Sequence, residues 1–114
     1  MSESELQAYT LKELSNYDGN HGTSPALLLG LNGKVYDVSS GANFYGPGKA
    51  YNVLAGRDST RALAKASLKA EDIPGPDDDP VDAMGLSESE LETLKGWEQR
   101  LAAKYAVCGR LVSQ

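Results

Sequence analysis

Hydrophobic and polar positions along the chain fall into blocks that assign most of its elements. Residues 6–9 read as a short opening strand. Thr10-Leu11-Lys12-Glu13 then fits a capping box, in which the Thr10 hydroxyl serves the N–H three residues on and the Glu13 carboxylate reaches back. The short helix it opens points Leu11 and Leu14 inward and ends near Asp18-Gly19. Beyond a polar loop at 20–24, Pro25 leads into Ala26-Leu27-Leu28-Leu29-Gly30-Leu31. This continuous apolar run predicts a central strand buried on both faces. Asn32-Gly33 predicts a type I′ hairpin turn, because both central residues need positive φ, with 34–38 as the return strand.

Residues 39–49 read as a long loop rich in Gly and turn formers, yet they carry Phe44 and Tyr45, which marks a packed, functional loop. Helical signals resume over 50–55. Asp58 is a good N-cap for a helix over 59–69, whose small apolar face is Ala62, Leu63 and Ala66. The acidic stretch 71–82 reads as a surface linker. Ser87-Glu88-Ser89-Glu90 is a second capping box, opening the longest helix with Leu91, Leu94, Trp97 and Leu101 on one stripe. Residues 105–112 close as a strand. This order gives an α+β domain with a small mixed sheet.

Composition narrows the function classes. The chain has 114 residues and a formal net charge of -5, enough for one core but not two. The acidic balance argues against a nucleic-acid partner, which needs a basic face. Its longest uninterrupted apolar run, Ala26 to Leu29, is far short of a membrane helix, and the start Met1-Ser2-Glu3-Ser4-Glu5 is acidic where a signal peptide is basic. The expectation is a cytoplasmic protein with no transmembrane segment. One His and one Cys exclude an intrachain disulfide, a Cys/His zinc site and haem held between two histidines. The aromatic set is unbalanced, with 6 Tyr against 1 Phe and 1 Trp. A buried phenol needs a polar partner.

Several chemical motifs fail on inspection. Gly46-Pro47-Gly48 lacks the third glycine of a dinucleotide fingerprint, where Tyr51 stands. Gly48-Lys49 resembles the end of a P-loop, but Ala50 replaces the Ser/Thr. Asp77-Asp78-Asp79 lacks the alternation, central Gly and final Glu of an EF-hand. Cys108 reads as a small core residue and His21 as solvent-facing, so no catalytic constellation emerges and an enzyme is not expected. What remains is Tyr45 and Tyr51, six apart, flanking a Gly-Pro-Gly turn. Chemistry leaves two readings: a pair of core tyrosines, or a phenol that ligates or hydrogen-bonds a ligand between helices. Lys104-Tyr105, at the end of the long helix, is placed to face the same pocket.

Ordered motifs carry a resemblance. Tyr9-Thr10-Leu11-Lys12-Glu13-Leu14, Lys34-Val35-Tyr36-Asp37-Val38, Phe44-Tyr45-Gly46-Pro47, Ala55-Gly56-Arg57-Asp58-Ser59-Thr60-Arg61-Ala62-Leu63, Trp97-Glu98 and Gly109-Arg110-Leu111-Val112 together resemble the membrane-associated progesterone receptor family. That family is a branch of the cytochrome b5-like haem/steroid-binding fold. The resemblance spans residues 8–113, leaving 1–7 as a flexible N-terminus. It implies haem b as cofactor, with Tyr51 as the metal ligand, Tyr45 lying against it, and Lys104 and Tyr105 as polar contacts across the macrocycle. Electron-carrying cytochrome b5 has a His-Pro-Gly-Gly loop here, and its missing His disfavours electron transfer. The implied state is ferric, because a phenolate is a hard anionic donor, and five-coordinate, because no second ligand is at hand. The implied role is haem handling or support of cytochrome P-450 enzymes and sterol metabolism. The alternative is a haem-free steroid- or lipid-binding or adaptor domain. Implied partners include haem, a steroid or sterol, cytochrome P-450 enzymes and a second copy through an exposed haem face. The implied location is peripheral to the endoplasmic reticulum or other endomembranes. Gly48-Lys49-Ala50 departs from the Glu-Gly-Pro of the mammalian branch, which brings the charge of Lys49 near the site.

Overall fold

In a computed structural model of the chain, which describes residues 7–20, 26–81 and 85–113, the capping box at Thr10 forms with both of its reciprocal bonds. It links strand β1 (Gln7–Tyr9) to the single helical turn α1 (Leu11–Leu14), which continues as a 3-10 turn to Tyr17. Strands β2 (Leu28–Leu31) and β3 (Lys34–Asp37) pair antiparallel across Asn32 and Gly33, whose φ angles of 49° and 83° are those of the expected hairpin turn. Two more short helices follow, α2 (Ala42–Tyr45) and α3 (Thr60–Ala64). Helix α4 (Glu88–Lys104) carries the second capping box, and β4 (Val107–Leu111) closes the fold.

The sheet order is β1-β4-β3-β2, with β1 parallel to β4 and the other pairs antiparallel. The architecture is therefore α+β around a small mixed sheet. Side chains alternate between its faces as strand geometry requires. Leu29, Leu31 and Tyr36 join Tyr45, Leu63, Leu94 and Leu101 on the helical side. Leu28 and Val35 face the other way, onto Tyr9, Leu11 and Leu14.

Three expectations are corrected. The apolar run in β2 is buried on both faces, but β2 is the edge strand rather than a central one. Its outer backbone groups bond instead to the chain at 56–59: Gly30 N–H donates to the Arg57 carbonyl at 2.9 Å and Ser59 N–H to the Gly30 carbonyl at 2.8 Å. The expected loop at 39–49 contains a 3-10 turn (Ser39–Gly41) and α2, and helical structure over 50–55 is confined to one 3-10 turn, Asn52–Leu54. Ser59 rather than Asp58 occupies the N-cap position of α3, its hydroxyl donating to the Gly30 carbonyl and not capping the helix, and α3 stops at Ala64. Ala66 adopts a φ of 52°, and Ser67 N–H returns to the Ala62 carbonyl at 2.8 Å, a helix-ending pattern that leaves Ala66 exposed.

Asp58 is buried for another purpose. One carboxylate oxygen accepts from the Thr60 N–H and hydroxyl, and the other accepts from Val81 N–H at 2.9 Å. The acidic segment is thus tied down at 81 and anchored by Ile73 on the core, while Asp77, Asp78 and Asp79 are exposed. Cys108 is half-buried against the second core. Residues 1–6, His21, Pro25 and Asp82 lie outside the described residues. No helix among the described residues is long and apolar enough to cross a membrane.

Candidate functional site

The Gly-Pro-Gly segment folds as a tight turn that sets Tyr45 and Tyr51 side by side. Tyr45 ends α2, where Gly46 N–H closes onto the Ala42 carbonyl at 3.0 Å. Lys49 N–H then bonds the Gly46 carbonyl at 3.0 Å across Pro47 and Gly48, and Gly48 has a φ of 80°. Pro followed by a positive-φ Gly is the chemistry of a type II turn, and only Gly takes that φ without strain. The reversal brings Tyr51 N–H back to the Phe44 carbonyl at 3.0 Å. Asn52 locks the result: its amide donates to the Tyr45 and Asp18 carbonyls, both at 2.9 Å, and accepts from Asn20.

The third phenol comes from the far end of the chain. Tyr105 leaves α4 in an extended conformation and packs edge-on to Tyr45, with ring centroids 6.4 Å apart. The Tyr51 ring lies tilted beside that of Tyr45, with centroids 6.1 Å apart. Gly41 makes room for this arrangement, because a Cβ there would collide with the Tyr105 hydroxyl. Three separate elements therefore present three phenols to one place.

That place is a cleft of about 410 Å³ between α2, the turn after it and α4. Its walls are Phe44, Tyr45, Tyr51, Trp97 and Leu101, with Ala103, Arg100, Lys104 and Tyr105 completing the lining. All four residues singled out from the sequence, Tyr45, Tyr51, Lys104 and Tyr105, are among them. Lys49 is not, so its charge sits outside the cleft. Sequence reasoning assigned Trp97 to the core stripe and passed over Arg100, Gly41 and Asn52. The spacing of Trp97, Arg100 and Lys104 at three- and four-residue steps on one helix was the signal that placed them together.

The donor set is suited to a flat, amphipathic ligand. None of the three phenol hydroxyls hydrogen-bonds to a described residue, yet no buried side-chain oxygen or nitrogen among them lacks a partner. The three hydroxyls are therefore not sealed from solvent. Burial, aided by the neighbouring Tyr105 and Tyr51 phenols, pushes the Tyr45 hydroxyl up to about 12, so it remains a proton donor throughout the neutral range. Phe44 stands at the mouth with 54% of its surface exposed. Apolar rings for a planar body, phenol oxygens within it and cations at the edge together match the needs of a haem, and they would also suit a smaller polycyclic ligand.

Known proteins resemble the chain in sequence and in fold. The family model described as Cytochrome b5-like Heme/Steroid binding domain matches residues 10–111. The chain is 41% identical over 105 residues to "Probable steroid-binding protein 3" of Arabidopsis thaliana, covering 92% of this chain and 98% of that one. It is 38% identical over 104 residues to human "Membrane-associated progesterone receptor component 2", covering 91% of this chain but only 44% of the relative. It thus spans less than half the length of the human protein. An Arabidopsis thaliana protein described as having a cytochrome b5 like fold superposes with a TM-score of 0.80 at 39% identity, covering 98% and 96% of the two chains.

Proposed function

The chain belongs to the family of cytochrome b5-like heme/steroid binding domains, with membrane-associated progesterone receptor components among its relatives, and from that premise we propose that residues 8–113 form a haem-binding domain in which Tyr51 is the axial ligand. The observation that carries this reading is the convergence of Tyr45, Tyr51 and Tyr105, whose hydroxyls have no hydrogen-bond partner among the described residues, on one largely apolar cleft. Haem b, when bound, supplies a ferric iron and an extended apolar plane. Tyr51 offers that iron a hard anionic oxygen, which stabilises the ferric state and lowers the reduction potential. Tyr45, held protonated, donates on the Tyr51 side of the cleft. Tyr105 and Lys104 bind polar groups from the α4 side, Lys104 by pairing with a carboxylate. With one histidine in the chain, a bis-histidine iron is excluded, in keeping with a site held by Tyr51 alone.

The role we assign is binding rather than catalysis: haem handling, or support of cytochrome P-450 enzymes and sterol metabolism at the cytoplasmic face of endomembranes. The open mouth at Phe44 leaves one face of the ligand for a partner or a second copy of the chain. A second reading, a haem-free domain that takes a steroid or lipid, is favoured by the largely apolar walls of Phe44, Trp97 and Leu101.

Titrating ferric haem into the purified protein separates the readings. The expected product is a high-spin, tyrosinate-type ferric spectrum that Tyr51→Phe loses and Tyr17→Phe, on the opposite side of the sheet, retains. An unchanged spectrum in Tyr51→Phe removes the ligand assignment. Failure of the wild-type protein to take up haem leaves the cleft to a steroid or lipid.

A further inference from the structure

We infer that Arg100 is a second anion-binding residue at the rim of the cleft, and that with Lys104 it makes the site selective for a flat ligand carrying two carboxylates. The inference rests on the reading of the cleft as a porphyrin site. Arg100 and Lys104 are four residues apart on α4, which places them as neighbours on one helix face, about 5–6 Å between Cβ atoms. Both line the cleft, and neither has an ion-pair partner among the described residues. The chain as a whole carries 16 acids against 11 bases, yet the cleft lining holds these two cations and no acid.

The guanidinium of Arg100 is also held in place. Its central carbon lies 5.1 Å from the centroid of the Trp97 ring, and Trp97 is part of the cleft wall. Stacking of this kind restrains the side chain, so less rotamer freedom is lost when it grips an anion. The planar fork then accepts a carboxylate through two parallel hydrogen bonds, while the lysine ammonium acts as a point charge beside it. A ring system with two carboxylates on one edge can lay its plane on Tyr51 and Trp97 and satisfy both cations at once. A neutral steroid leaves both unpaired and gains nothing from them. Because Arg100 and Lys104 are exposed, the effect is moderate and screened by salt.

Iron-free protoporphyrin IX and its dimethyl ester test this without involving the axial ligand, with Trp97, the chain's 1 tryptophan, as the fluorescence probe. The wild-type protein should bind the diacid roughly tenfold more tightly than the diester, with only the diacid weakened by added salt. Arg100→Ala should lose roughly three- to tenfold in diacid affinity and nothing in diester affinity, and Arg100→Lys should recover part of the loss. Circular dichroism and the urea midpoint should stay unchanged, since Arg100 is exposed on its helix. An equal loss for both ligands would mean that Arg100 acts only by packing on Trp97 and would overturn the inference. So would no loss for either ligand, or no binding of either porphyrin. If Arg100→Ala discriminates the diacid while Tyr51→Phe leaves the ferric haem spectrum unchanged, the rim assignment stands and the axial-ligand assignment falls.

Discussion

Tyr45 is the most buried of the cleft phenols, and its ionisation is coupled to folding. Its hydroxyl is pushed up to about 12, above the ordinary value of 10.0 that it regains on unfolding. The stability contributed by the protonated form is therefore complete below pH 10 and is lost as pH rises through the folded value. The expected outcome is a fall in urea-denaturation stability on the order of 2 kcal/mol between these limits. Tyr45→Phe should flatten that part of the decline, leaving a smaller slope from Tyr9 and Tyr36, whose hydroxyls burial also raises. A slope unchanged in Tyr45→Phe would show that the phenol ionises as freely in the folded protein as in the unfolded one. At this scale the sequence was informative about identity. Tyr45 and Tyr51 could be named because phenols were in surplus and these two flanked a turn, and Lys104 and Tyr105 because they close the long helix and match the family resemblance. Arg100, Asn52 and Gly41 could not, because a stacked guanidinium, a bridging amide and a missing methyl acquire meaning only beside their neighbours.

Among the elements, the capped helices and the hairpin were the most legible, since Thr10, Ser87 and Asn32-Gly33 act through bonds and φ angles within a few residues. Helix α3 was the least. Asp58 has the chemistry of an N-cap, but its carboxylate spans from Thr60 to Val81, joining the start of α3 to the acidic segment. Asp58 is fully buried, so its replacement strands the buried Thr60 N–H and hydroxyl as well as the part-buried Val81 N–H. Asp58→Ala should destabilise the protein by about 3 kcal/mol in urea denaturation, beyond the roughly 1 kcal/mol of a lost cap. It should also raise proteolytic cleavage within 71–81. A loss of about 1 kcal/mol with no change in proteolysis would reduce Asp58 to an ordinary capping residue.

For the whole molecule, the sheet divides two apolar cores, and the cleft opens on the larger of them, where Tyr45, Tyr51, Tyr105 and Trp97 are both wall and core. Ligand binding must therefore report on global stability. Ferric haem at about a hundredfold over its Kd should add about 2.7 kcal/mol, a rise of roughly ten degrees in Tm. The rise should shrink in Tyr51→Phe, and a Tm indifferent to haem would dissociate the cleft from the fold's cooperative unit. The sequence by itself determined the α+β class, the capped helices, the hairpin and the family, because these rest on local periodicity and on ordered motifs. It also determined that β2 is buried on both faces, since an unbroken apolar run allows little else. Only the tertiary structure decided that β2 is an edge strand, because its outer hydrogen bonds are closed by residues 56–59, almost thirty positions away. Only tertiary structure, too, set the phenols of α2, the following turn and the end of α4 around one cleft with a stacked arginine at its rim. Burial and alternation are written along a chain, whereas the partner across a strand or a cleft is chosen by packing at long range.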